Sequence, residues 1–112
     1  MQERKFERFN INAPVTFAGD TIRGEGRIEN LSLGGAAIAS DVSVSRGEYL
    51  KLSLTLPEQR TPIEVELAPI RWVKDRTFGV EFIRMSTEAL HTLRRYIERL
   101  ESVPDQTVPS NR

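Results

Sequence analysis

Two arginines near the start of the chain have the spacing and the chemistry of an anion clamp. Arg4 and Arg8 are separated by three residues, and Lys5 adds a further positive charge between them. A guanidinium group can grip a phosphate through two hydrogen bonds, reach O6 and N7 of guanine, and stack on a base. Taken alone, the segment is most simply a charge cluster in solvent. The functional alternative is that both arginines converge on an anion or a purine.

A second polar segment, Asn30-Leu31-Ser32-Leu33-Gly34-Gly35, follows about twenty residues later. Asparagine, serine and glycine are the usual residues of turns, so a plain connection between strands explains the segment without a ligand. In the functional interpretation, Asn30 contacts the edge of a base and the Ser32 hydroxyl contacts a nearby polar group of the ligand. Gly35 then permits a positive φ or a close approach of the backbone to the ligand.

Little else in the sequence suggests catalysis. His91, the single histidine, has no carboxylate or nucleophile at a matching spacing and is expected at the surface. The chain has no cysteine, which excludes disulfides and thiolate sites and fits a reducing cytoplasm. No apolar run approaches the roughly 18 residues that span a bilayer. We therefore expect a cytoplasmic protein that is not an enzyme, holds no metal and does not insert into a membrane.

The charge balance argues against a nucleic-acid partner. Sixteen basic residues match sixteen acidic ones, whereas proteins that hold DNA or RNA by its phosphates normally have a basic surplus. A barrel for single strands would also need surface aromatic residues and a basic groove, and aromatic residues make up 7% of this chain. A small anionic ligand needs only a few well-placed arginines.

Hydrophobic alternation with period two runs through the first three quarters of the chain and predicts six strands. Several short strands with turn signals between them favour a closed or nearly closed barrel. Gly24 and Gly26 fall on an inward face and suit a bulge or a tightly curved sheet, and Pro69 suggests a bulge or an edge position. The inward positions include Ala13, Val15, Phe17, Ile22, Ile28, Leu50, Leu52, Leu54, Leu56, Ile63, Val65, Leu67, Phe78, Val80 and Phe82, with Ala68 outward.

The hydrophobic period changes after Met85 and predicts one amphipathic helix of about four turns. Ser86 or Thr87 is its expected N-cap. The apolar stripe that would lie on the barrel comprises Leu90, Leu93, Ile97 and Leu100.

These features together resemble the PilZ family. Its two signatures are Arg-x-x-x-Arg, matched by Arg4 and Arg8, and Asp/Asn-x-Ser-x-x-Gly, matched by Asn30, Ser32 and Gly35. Each motif is weak alone, but their order and separation by one hairpin make the pair more specific. The resemblance covers roughly residues 3–100, because the stretches 70–75, 78–82 and 93–97 are similar to the closing strands and helix of the family.

The resemblance implies an all-β fold, a six-stranded antiparallel PilZ-like β-barrel with one C-terminal amphipathic α-helix. The barrel and helix would span residues 10–102, between a flexible arginine-bearing arm at 1–9 and a disordered tail at 103–112.

The resemblance also implies a bacterial receptor for the second messenger c-di-GMP, with no other cofactor. Arg4 and Arg8 would contact guanine and phosphate oxygens, with Lys5 as a further candidate contact. The barrel-side floor of the site would be formed by Asn30, Ser32 and Gly35. Trp72 stands where some members place an aromatic residue against a guanine, although barrel packing explains an indole equally well.

One position departs from the pattern of the family. Many members have a further arginine immediately before the first motif arginine, where this chain has Glu3. An acidic side chain there repels an anionic ligand, modestly if it is solvated. The departure favours one bound ligand molecule over a stacked pair, or weaker binding.

The mechanism expected from this resemblance is an arm that orders over the ligand and then offers or hides a surface for an unidentified downstream protein partner. The effect would act in trans, since no output domain is attached, from a monomer or weak homodimer. The alternative is a PilZ-like protein-interaction adaptor that does not bind nucleotide.

Overall fold

A computed structural model of the chain describes residues 7–101, so Glu3, Arg4, Lys5 and the tail predicted at 103–112 lie outside the described residues. Every strand pairs antiparallel with two neighbours, in the closed ring order β1-β2-β3-β6-β5-β4. The predicted six-stranded barrel with a C-terminal helix is confirmed. The elements are β1 Phe9–Ala18, β2 Arg23–Leu31, β3 Gly35–Ala39, β4 Tyr49–Leu54, β5 Ile63–Lys74, β6 Thr77–Glu81 and α1 Thr87–Glu101.

The alternating residues of the strands form a single core inside the barrel. Leu50, Leu52 and Leu54 are buried as predicted, and Phe17 meets Phe78 edge to face with ring centroids 5.4 Å apart. Burying each large apolar side chain stabilises the fold by roughly 1.5–3 kcal/mol. Pairing between β1 and β2 is continuous through Gly24 and Gly26, so these glycines belong to a curved sheet rather than to a bulge.

The bulge expected at Pro69 lies earlier in β5. Leu50 pairs with Ala68 and Leu52 pairs with Val65, which leaves two residues of β5 opposite one residue of β4. Beyond the extra residue, the side chains that would face inward face outward, and the reverse. The predicted orientations of Leu67 and Ala68 are therefore wrong: Ala68 is fully buried, and Leu67 is half-buried and bridges to Arg84.

Three further bulges were not predicted from the sequence. One lies in β1 between Asn10 and Ala13, and the other two change the phase of β2 and β5. Between β2 and β3 the pairing passes from Ile28 to Asn30 while the partner strand advances by one residue. Between β5 and β6 it passes from Ile70 to Trp72 in the same way. Ile28 and Ile70 face the core, so unbroken alternation would direct the residues two positions later inward as well. The bulges instead leave Asn30 half-buried and Trp72 exposed.

The helix α1 lies on the barrel through Leu93, Tyr96 and Ile97, all of which join the core. Leu90 was predicted to face the barrel, and this is wrong, since it is exposed. The buried face of α1 is centred on Leu93, Tyr96 and Ile97, and Leu90 lies at the edge of that face. His91 is exposed as expected. Within residues 7–101, no helix has both the length and the apolar character needed to span a bilayer.

Ser86 is the N-cap of α1, because its Oγ accepts a hydrogen bond from the backbone N–H of Ala89 at 3.0 Å. We expect Ser86→Ala to lower the free energy of unfolding by about 1 kcal/mol, since a helix-end donor loses its acceptor. Thr87→Ala is the matched control and should change stability by much less. Urea unfolding of both variants measures the difference, and equal losses would contradict the assignment.

Candidate functional site

One groove on the outer surface of the barrel contains three of the residues that the sequence singled out. Its volume is about 430 Å³, and Arg8, Ser32 and Trp72 line it. The other lining residues are Leu33, Gly34, Arg71, Gly79, Val80, Glu81 and Phe82. The groove therefore runs from the start of β1, across the connection between β2 and β3, to the neighbouring strands β5 and β6.

A larger groove of about 500 Å³ lies elsewhere on the barrel and contains none of the predicted site residues. Its charged lining is mixed, with Arg23 and Lys51 beside Glu25 and Glu64. Such a lining gives no net attraction for an anion. We therefore take the groove beside Arg8 as the candidate site.

Arg8 and Asn30 meet at the edge of this groove. A guanidinium nitrogen of Arg8, Nη1, donates a hydrogen bond to Oδ1 of Asn30 at 2.5 Å. Phe9 pairs with Leu31 and Asn10 pairs with Asn30, so the start of β1 lies along the end of β2. The bulge in β2 turns the Asn30 side chain away from the core and toward the surface. The contact with Arg8 can form there. The fold thus brings together two residues that lie 22 positions apart in sequence.

Ser32 lies at the floor of the groove, but its hydroxyl is used within its own turn. The side chain is 3% exposed, and Oγ accepts hydrogen bonds from the backbone N–H groups of Gly34 and Gly35, both at 3.1 Å. The backbone N–H of Ser32 also donates to the carbonyl oxygen of Gly35 at 2.9 Å. This geometry does not favour the expected contact between the Ser32 hydroxyl and a ligand. The hydroxyl instead stabilises the turn between β2 and β3.

Gly35 is required by the barrel rather than by a special backbone angle. Its φ is not positive, and a Cβ at this position would overlap the carbonyl oxygen of Val80. Gly35 is buried, pairs with Glu81 and does not line the groove. The expected positive φ is therefore not found, and the close backbone approach is to β6.

Trp72 forms one wall of the groove and lies flat against β6. Its indole covers Gly79, where a Cβ would overlap Nε1 and Cε2 of the ring. The tryptophan is nevertheless 41% exposed. It therefore presents a large aromatic surface to solvent beside the groove, which the packing of the barrel interior does not require.

Arg71 and Glu81 form an ion pair in the groove that the sequence analysis missed. Nε and Nη2 of Arg71 both lie 2.7 Å from Oε1 of Glu81, and the two side chains are 56% and 48% exposed. The available signal was weak: an arginine beside Trp72 and an outward carboxylate in the next strand. Their contact depends on the cross-strand register, which the bulge at Arg71 sets.

The groove is suited to an organic anion rather than to a metal ion. Arg8 and Arg71 supply positive charge, Glu81 is the acidic residue of the lining, and Trp72 adds an aromatic face. Within residues 7–101, no three His, Cys, Asp or Glu side chains gather where they could hold a metal. A guanidinium near a polar amide and an indole can bind phosphates and stack a base.

A family model described as PilZ domain matches residues 2–99 of the chain. None of the curated protein sequences compared with the chain matches it.

Several solved structures share the fold. The Bacillus subtilis inhibitor of motility is 25% identical, with a TM-score of 0.71 over 90% of this chain and 52% of that one. YcgR from Escherichia coli, solved in complex with c-di-GMP, is 19% identical, with a TM-score of 0.73 over 89% of this chain and 46% of that one. The PilZ domain of CeSA from a cellulose-synthesizing bacterium is 20% identical, with a TM-score of 0.66 over 85% and 98%.

The chain thus spans about half of the length of the first two proteins and nearly all of the third. The family model covers residues 2–99, which is most of the 112-residue chain. The closed barrel, its C-terminal helix and the two motifs that meet beside one groove agree with that match. The chain belongs to the PilZ domain family.

Proposed function

We propose that this chain is a receptor for c-di-GMP that binds the dinucleotide in the groove beside Arg8. Membership of the PilZ family supports this, as does the likeness to YcgR, a protein solved in complex with c-di-GMP. The observation that carries the proposal is the meeting of Arg8 with Asn30 at a groove walled by an exposed Trp72.

The ligand offers two phosphates and two guanines, and the residues around the groove provide a partner for each kind of group. Arg8 and Arg4 grip the phosphates and the guanine O6 and N7 atoms, and Lys5 adds charge. Asn30 contacts the edge of a base, and Trp72 stacks on one. A cyclic dinucleotide therefore contacts both Asn30 and Trp72, the side chains that the bulges in β2 and β5 turn outward.

Ser32 and Gly35 act on the shape of the site in this proposal. The Ser32 hydroxyl holds the turn that forms the groove floor, and Gly35 lets β3 approach β6 closely. Their contribution to binding is thus preorganisation, which lowers the cost of ordering the site around the ligand.

Arg8 must exchange its contact with Asn30 for contacts with the ligand. Because Arg8 directly precedes β1, its rearrangement moves residues 1–8 relative to the barrel. The new position of this arm offers a surface to a downstream protein partner, so that c-di-GMP acts by shifting a population of conformers. In this proposal the protein binds and relays the messenger in the cytoplasm and catalyses no reaction.

The double variant Arg4→Ala/Arg8→Ala should lose measurable binding of c-di-GMP in isothermal titration calorimetry. Each hydrogen bond to a charged group contributes about 1.5–3 kcal/mol, so losing both arginines weakens binding by at least about a hundredfold. The melting temperature should stay nearly unchanged, because the Arg8 side chain is not part of the core.

Arg23→Ala is the matched control, since Arg23 is exposed at the opposite end of β2 from Asn30 and lines the other groove. It should bind like the wild type. Undiminished binding in the double variant would defeat the arginine clamp, and a wild-type protein that binds no c-di-GMP would favour an adaptor that works through protein contacts alone.

Trp72 should report the ligand directly, because it is the single tryptophan of the chain. Stacking of a guanine on the indole should quench its fluorescence in step with the calorimetric isotherm. Trp72→Ala should weaken binding by roughly five- to a hundredfold, since base–aromatic stacking contributes about 1–3 kcal/mol. Val73→Ala, at the equally exposed neighbouring position, should leave affinity unchanged. An unquenched signal at saturation would place the ligand elsewhere.

Glu3→Arg should tighten binding, because it replaces a repelling charge beside the arginine motif with an attracting one. We expect the wild type to bind one molecule of c-di-GMP per chain and the variant to bind more tightly or to take up a second molecule. Calorimetry returns both quantities. Unchanged affinity and stoichiometry in the variant would show that Glu3 does not face the ligand.

A further inference from the structure

The ion pair between Arg71 and Glu81 occupies only one of the two carboxylate oxygens. Both contacts from the guanidinium fall on the same oxygen, Oε1 of Glu81, at 2.7 Å. Within residues 7–101, no group donates a hydrogen bond to Oε2. Arg71 therefore holds the carboxylate in one orientation, and among the described residues Oε2 has no hydrogen-bond donor.

The position of this acceptor relates it to the aromatic wall. Gly79, which the Trp72 indole covers, and Glu81 are two residues apart in β6 and face the same side of the strand. At about 3.3 Å per residue, their backbones are about 7 Å apart. A purine stacked on the outer face of Trp72 would therefore lie on the same side of β6 as Glu81, two residues along the strand from Gly79.

The chemistry of a carboxylate selects among purine edges. Ionised carboxylate oxygens only accept hydrogen bonds. The Watson–Crick edge of guanine presents two adjacent donors, N1–H and the exocyclic amine at C2. Adenine has an acceptor at N1 and no amine at C2, so its edge opposes the carboxylate with a lone pair. Flipped and extrahelical bases are read in this manner, by stacking together with contacts to the Watson–Crick edge.

We propose that Glu81 determines base specificity in this groove, accepting hydrogen bonds from N1–H and the exocyclic amine of a guanine stacked on Trp72, with Arg71 as its positioning residue. The inference rests on the proposed function, because it concerns the same ligand. The inference adds a ligand contact from Glu81, a residue that belongs to neither of the two sequence motifs.

A purely structural role for the pair predicts the opposite effect on binding. An exposed ion pair contributes little to stability. If Glu81 only neutralises Arg71, its charge opposes an anionic ligand, and removing that charge should strengthen binding. The sign of the change in affinity therefore separates the two roles.

The test compares wild type and Glu81→Gln by calorimetry with three probes: c-di-GMP, c-di-AMP, and cyclic di-inosine monophosphate, which lacks the exocyclic amine. We expect the variant to bind c-di-GMP about tenfold or more weakly, because a charged acceptor is replaced by an amide. In the wild type, the inosine analogue should also bind at least about tenfold more weakly than c-di-GMP. That ratio should shrink in the variant, since both changes remove the same contact.

Two further variants complete the experiment. Glu64→Gln removes a charge from another exposed carboxylate on the barrel, which accepts a hydrogen bond from Ser53 and lies outside the groove, and should leave all three affinities unchanged. Arg71→Ala should lower the preference for c-di-GMP over the inosine analogue, and Arg71→Lys should restore part of it. A role in packing alone would not change this ratio.

The outcomes distinguish this inference from the function on which it rests. Tighter or unchanged binding of c-di-GMP by Glu81→Gln, with normal binding by the wild type, would overturn the role of Glu81 and leave the receptor intact. Equal affinities of the wild type for c-di-GMP and the inosine analogue would do the same. A wild-type protein that binds none of the probes would overturn the proposed function and this inference together.

Discussion

The groove exists because the alternation of two strands is interrupted where the barrel must present side chains outward. In a regular strand, residues two positions apart share a face, so Asn30 would follow Ile28 into the core and Trp72 would follow Ile70. An amide buried without partners is costly, and the interior has no space for an indole in addition to its existing side chains. One extra residue in each strand reverses the phase and places both side chains at the surface. Bulges of this kind occur beside functional sites because they redirect single side chains while the rest of the sheet continues.

Close packing around the glycines completes the arrangement. Gly79 removes the side chain that would otherwise hold the indole away from β6, and Gly35 removes the one that would separate β3 from β6. The aromatic wall is therefore fixed by contact with backbone. A rigid wall and a turn held by the Ser32 hydroxyl form one side of the site, while Arg8 approaches from the start of β1. The barrel thus holds Trp72 and the turn in place, and Arg8 reaches the same groove from the residue before β1.

The sequence was sufficient for the fold and for three of the residues that line the candidate groove, Arg8, Ser32 and Trp72. Alternation depends only on which residues are apolar, so the strands, the helix and most of the core could be predicted from the chain itself. The motif residues Arg8 and Asn30 could be predicted to meet because one hairpin separates them. A bulge near Pro69 was expected, but its exact position and the other bulges could not be predicted, since they depend on which residues lie opposite each other across two strands. The orientations of Leu67 and Ala68 were wrong for this reason, and Arg71 and Glu81 were missed because their contact follows from the same register.

The hydrogen bond between Arg8 and Asn30 also has an energetic consequence. Without a ligand, the polar groups at the edge of the groove already satisfy one another. In the proposed function, an incoming dinucleotide would replace an existing contact, so the exchange itself would yield little net free energy. The surplus that drives association must come from stacking and from the attraction between guanidinium groups and phosphates, and the second of these is screened by dissolved ions. Occupancy of the receptor would therefore depend on the ionic strength of the surrounding solution as well as on the concentration of the messenger.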